Sequence, residues 1–97
     1  MQTPSGAFLR SIGELIRAKR AIRMDQQELA LRVGISRATI SSMERGAGVN
    51  SNSLFKVLHH LDLLHDLQHL VDAELDNMDN SFSRKSRKVK EVLSNDF

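Results

Sequence analysis

The chain contains no cysteine and only one proline among 97 residues. Without thiols, a disulfide framework and a thiolate metal site are both excluded. The proline, Pro4, falls with Gly6 in the first six residues, and residues 1–6 read as a loose N-terminal arm. No apolar run is long enough for a signal peptide or a membrane span. The expectation is a cytoplasmic, nucleoid-associated protein with no membrane partner. The residue groupings that carry catalysis are also missing. There is no glycine loop to cradle phosphate, no paired-carboxylate pattern and no nucleophile with a histidine in motif. An enzyme is not expected, and no cofactor is implied. A chain of this length forms one small core of moderate stability, which oligomerisation would reinforce.

Net charge is only +2, but it is unevenly distributed. Residues 10–45 carry eight Lys/Arg against four acids, whereas residues 46–79 carry one lysine against six acids. Residues 80–97 return to five basic and two acidic groups. Such segregation would orient a domain on a polyanion, with the acidic part turned away from phosphates.

The basic part contains the most informative stretch, MDQQELALRVGISRATISSMERG, residues 24–46. Asp25 is placed to cap a helix, with Glu28 three residues later able to reach back to its N–H. Leu29, Ala30 and Val33 share one face, and Gly34 then permits a left-handed turn. Ser36 caps a second helix, in which Ile40 and Met43 face inward. Arg37, Ala38, Thr39, Ser41 and Ser42 are left facing out. Helix, glycine turn, helix is the helix-turn-helix unit, and small Ala30 lets the helices cross closely. A short polar face of this kind can enter a major groove about 12 Å wide.

Around this unit, a first helix is expected over residues 7–22, with Phe8, Ile12, Leu15, Ile16 and Ile22 on its buried face. Its basic end, Arg17, Lys19, Arg20 and Arg23, offsets the helix dipole and could reach DNA backbone. A fourth helix begins near Ser51–Ser53 with the stripe Leu54, Val57, Leu58, Leu61, and Asp62 marks a break. A fifth runs to about Leu75. Its stripe of Leu64, Leu67, Leu70, Val71 and Leu75 is wider than a small core needs. Part of it can close the core; the remainder is expected to form a two-fold dimer interface.

Residues 12–71 resemble the Xre/Cro-type repressors, on MDQQELALRVGIS, RATISSMERG and VNSNSLFKVLHHLDLL. The resemblance implies an all-α, five-helix, lambda-repressor-like domain over residues 7–75 and a basic tail over 76–97. It makes Arg37, Ala38, Thr39 and Ser42 the base-contacting set. Arg37 would bond a guanine edge or, equally, a phosphate; Ala38 and the Thr39 methyl would touch thymine methyls. Gln26 is implied as a phosphate contact, with a plain solvent-facing role as the alternative. Ser41, Arg17, Arg23 and Arg45 complete the expected phosphate set. A basic residue at Lys19, where arginine is usual, is implied to brace Glu44 at the end of the recognition helix.

More narrowly, ERGAGVNSNSLFKVLHHLDLLHDLQHLVD followed by SRKSRKVKEV is similar to HipB-type antitoxins. That resemblance implies a homodimer on an inverted-repeat operator in double-stranded DNA, and a HipA-type kinase toxin as protein partner. The alternatives are a stand-alone phage or restriction-controller repressor, and a protein-interaction module with weak DNA binding. His65 and His69 stand four apart and could ligate a metal, but their setting on the polar side of a leucine stripe favours a solvated role. No metal site is therefore expected. In the tail, Arg84–Lys90 holds five basic groups and is either a solvated run or a DNA- or partner-binding segment.

Overall fold

The computed structural model describes residues 2–86, with side chains described as far as residue 80. The described residues form helices and no strands. In chain order these are α1 (Pro4–Ala21), α2 (Gln26–Val33), α3 (Arg37–Glu44), α4 (Ser51–His60) and α5 (Leu64–Ser86). The chain divides into two compact units, Met1–Leu64 and His65–Phe97.

Each of the first four helices starts at a side-chain oxygen that accepts the N–H three residues on. Thr3 accepts from Gly6 at 3.0 Å and Asp25 from Glu28 at 2.8 Å. Ser36 accepts from Thr39 at 3.1 Å and Asn50 from Ser53 at 3.2 Å. Such a cap typically contributes about 1 kcal/mol. Glu28 does not complete the expected reciprocal box; its Oε2 lies 3.0 Å from Arg32, one turn along α2.

Two boundaries differ from the sequence expectation. Helix α1 starts at Pro4 rather than Ala7, because Thr3 caps it and proline at the first helical position has no N–H to leave unsatisfied. Residues 4–6 therefore belong to the helix and not to an arm. Helix α5 continues past Leu75 to Ser86, because no glycine or proline interrupts residues 64–86. Residues 76–86 are thus helical rather than tail. The remainder of the expected tail, 87–97, lies outside the described residues.

The core of the first unit consists of Ile16, Leu29, Ala30, Ile40, Met43, Val57 and Leu58. All come from α1–α4, with α1 packed on α3, and α2 on both α3 and α4. Ala30 is buried at the α2–α3 turn, and Gly34 at φ 81° ends α2 with its N–H bonded to the Ala30 carbonyl at 2.9 Å. Asp62, at φ 61°, turns the chain after α4. Among the described side chains of α5, none is fully buried.

The buried face of α1 is also rotated from the expected one. Phe8, Leu15 and Ile22 are exposed, the last at 76%. Of the expected residues Ile12 and Ile16 do face inward, and Leu9, Gly13 and Arg20 join them. Gly13 explains the rotation. A β-carbon there would lie 2.3 Å from the Met43 carbonyl oxygen and 2.9 Å from that of Glu44. The backbone of α1 therefore rests directly on the last turn of α3. Just beyond that turn, Gly46 (φ 80°) approaches Arg10 so closely that a β-carbon would lie 2.8 Å from the Arg10 Cα.

Candidate nucleic-acid interface

Helix α3 begins as soon as the Gly34 turn and the Ser36 cap allow, and is held from behind by Ile40 and Met43. With those two residues buried, 100° per residue leaves the opposite side to Ala38, Ser41 and Ser42, with Arg37 and Thr39 on the two flanks. Arg37 and Ala38 are exposed; Thr39, Ser41 and Ser42 are half-buried. The Thr39 and Ser36 hydroxyls lie 2.8 Å apart. Arg45 Nη2 donates to Ser42 Oγ at 3.4 Å, the long limit for such a bond.

The outward residues divide between two hollows. One, of about 470 Å³, joins Arg37 to Arg20, Asp25, Gln26 and Gln27 at the N-terminus of α2. The other, of about 290 Å³, joins Ala38, Thr39 and Ser42 to Val49, Asn50 and Ser53 across the α3–α4 turn. Arg17 is exposed on α1. Arg23 lines a third hollow with Lys19, Arg32 and His60.

Glu44 is braced by Arg20, not Lys19. Arg20 Nε donates to Glu44 Oε2 at 2.6 Å and Nη2 to Oε1 at 3.1 Å, a two-pronged bond. Arg20 Nη1 also donates to the Met24 carbonyl at 2.9 Å, tying down the α1–α2 loop. Lys19, one residue earlier, is turned about 100° away on α1 and is exposed. Both partners of the brace are well covered, with side chains 11% and 4% exposed. Arg20 is held above its ordinary pKa, chiefly by the Glu44 hydrogen bond; burial opposes this, and the charges of Glu44 and Asp25 add to it. Gln26 joins the same carboxylate, its Nε2 donating to Glu44 Oε1 at 3.1 Å. One amide hydrogen of Gln26 is thereby committed to Glu44, and Gln26 also lines the hollow that holds Arg37.

On α5, Leu64 and Leu67 are half-buried, whereas Leu70, Val71, Leu75 and Met78 are each more than half exposed. The rings of His65 and His69 stack with centroids 6.4 Å apart. Among the described residues, no group of three or more His, Asp or Glu side chains is placed to hold a metal ion.

Sequence reasoning missed Gly13, Arg20 as the brace, Gln27 beside Arg37, and Val49 and Asn50 beside Ala38. The repeated small and capping residues after Gly46 were a signal for the last two. Nothing local singled out Gly13.

A capped helix, a left-handed glycine and a second helix, with polar side chains outward and a buried brace behind, define a helix-turn-helix DNA reader. The chain belongs to the Xre-type helix-turn-helix family HTH_3, whose sequence model matches residues 15–67, more than half of its length. No curated protein and no solved structure gives a significant match. The chain is accordingly a DNA-binding transcriptional regulator, in a family that is regulatory and not enzymatic. No helix among the described residues is long and apolar enough to cross a membrane.

Proposed function

We propose that this regulator is a dimeric, sequence-specific repressor that occupies an inverted repeat near its own promoter and blocks polymerase. The reading is carried by the outer surface of α3, where Ala38 and Ser42 stand opposite the buried Ile40 and Met43 and Arg37 and Thr39 flank them. Arg37 reads a guanine edge, while Ala38 and Thr39 lie against thymine methyls. Gln26 contacts phosphate, as do Ser41, Arg17, Arg23 and Arg45. A single α3 reads too few base pairs for an operator. Two heads about 34 Å apart would read both halves of a palindrome. The exposed Leu70, Val71 and Leu75 of α5 supply apolar surface for such a dimer, together with Leu64 and Leu67.

By its similarity to HipB-type antitoxins over residues 44–72, the repressor also binds and neutralises a HipA-type kinase and represses its own operon as part of that complex. The competing assignment is a stand-alone repressor with no toxin partner. Selection of bound duplexes from random DNA, followed by gel shifts with and without the neighbouring gene product, tests both halves. The expected result is an enriched inverted repeat and a slower complex when the kinase is added. With about eight phosphate contacts, log affinity should fall against log salt with a slope of about −7. Arg37→Ala should cost about 1–3 kcal/mol at one base pair per half-site. Binding that ignores both salt and sequence removes the repressor reading. An unchanged complex on addition of the kinase removes the antitoxin reading alone.

A further inference from the structure

We infer that Val49, in the α3–α4 turn, is a specificity-determining residue that receives the C5 methyl of a pyrimidine in the major groove. This inference rests on the operator reading above and extends it to a residue outside the recognition helix.

The hollow of about 290 Å³ beside α3 has two walls. One is Ala38, Thr39 and Ser42 of α3; the other is Val49, Asn50 and Ser53. Part of its polar lining is engaged within the protein. The Thr39 hydroxyl is engaged with Ser36 at 2.8 Å, which leaves its methyl as the free end. Ser42 Oγ accepts from Arg45, and Asn50 Oδ1 accepts the Ser53 N–H at 3.2 Å. Beside these polar groups the lining carries apolar ones: the Ala38 β-carbon, the Thr39 methyl and the Val49 side chain. Val49 is half-buried, so its neighbours hold it while part of it stays open to solvent. Among groups presented in the major groove, the pyrimidine C5 methyl is the apolar one, and it separates thymine from cytosine. Hydrogen-bond readers such as Arg37 lie in the other hollow, beside Gln26 and Gln27.

Thymine and 5-methylcytosine carry the same methyl, and the test separates them. The selected operator is rebuilt with deoxyuridine replacing each thymidine in turn, which removes only the methyl. At one position per half-site, affinity should fall about fourfold, the worth of one buried methyl-sized group, and about fifteenfold when both half-sites are changed. Placed there opposite dG, 5-methyl-dC should bind about fourfold better than dC. The full-length variants Val49→Ala and Val49→Thr should lose most of the dT-over-dU preference while keeping the salt slope. Val49→Thr keeps the side-chain shape, and thermal melting confirms that each variant is folded. An operator bound equally with dT and dU throughout overturns the inference. So does an undiminished dT-over-dU ratio in both folded variants, or equal binding of dC and 5-methyl-dC. If no sequence is enriched in the selection, the operator reading fails first; an enriched but methyl-blind operator sinks only the role of Val49.

Discussion

Replacing Arg20 with alanine should remove a large part of the stability of the first unit, whereas the neighbouring Lys19→Ala should scarcely register. Arg20 makes two bonds to Glu44 and one to the Met24 carbonyl, and the Glu44 side chain is 4% exposed. Truncating Arg20 leaves that carboxylate with only the Gln26 amide as side-chain partner. Breaking a buried ion pair from one side costs about 3–5 kcal/mol. Arg20 lies at the edge of the unit, where water can partly replace it, so about 2–4 kcal/mol is expected for this pair. In a domain of this size each kcal/mol moves Tm by about 4–8 °C, so Arg20→Ala should melt about 8–30 °C lower. Lys19 is exposed and has no ion pair among the described residues, and Lys19→Ala should stay within about 0.5 kcal/mol. Arg20→Lys keeps the charge but loses the second prong, and should fall between the two. Thermal and urea melts at one protein concentration measure all three, with Glu44→Ala closing a double-mutant cycle. A Lys19→Ala loss equal to that of Arg20→Ala, or a cycle coupling Arg20 to Glu44 by less than about 0.5 kcal/mol, would refute the assignment.

Gly13→Ala should be destabilising by about 1–3 kcal/mol in urea unfolding, despite alanine's better helix propensity, because the added carbon meets backbone oxygens that cannot rotate aside. An unchanged midpoint would mean that α1 and α3 are not in such close contact. Gly34→Ala and Gly46→Ala both strain a left-handed backbone, at about 1 kcal/mol, but only Gly46→Ala also collides with Arg10. Gly46→Ala should therefore melt lower, and the reverse order would count against the packing at Arg10. Leu70→Glu with Leu75→Glu should convert a dimer to monomer in sedimentation while leaving far-UV helicity in place, since both leucines are more than half exposed. A dimer that survives both changes would place the interface elsewhere.

The sequence by itself determined whatever depends on neighbours along the chain. The Asp25 and Ser36 caps, the left-handed turn at Gly34 and the inward Leu29, Ala30, Ile40 and Met43 are local consequences of residue type and helical period, and all are present. The same period puts Arg37, Ala38, Thr39, Ser41 and Ser42 outside the Ile40–Met43 line, whereas the narrower base-contacting set comes from the family resemblance. Tertiary packing decided which line of α1 faces inward. Ile12 and Ile16 were legible from helical spacing, but Phe8, Leu15 and Ile22 are as apolar as Leu9, so hydropathy could not rank those; the one site where a missing β-carbon admits the carbonyls of α3 did. That choice set the phase of the helix. Phase, at 100° per residue, aimed Arg20 and not Lys19 at Glu44, which drew Gln26 to the same carboxylate. Val49 and Asn50 came to face Ala38 for a related reason: they lie some ten residues further along the chain, and only the fold of the α3–α4 turn brings them within reach.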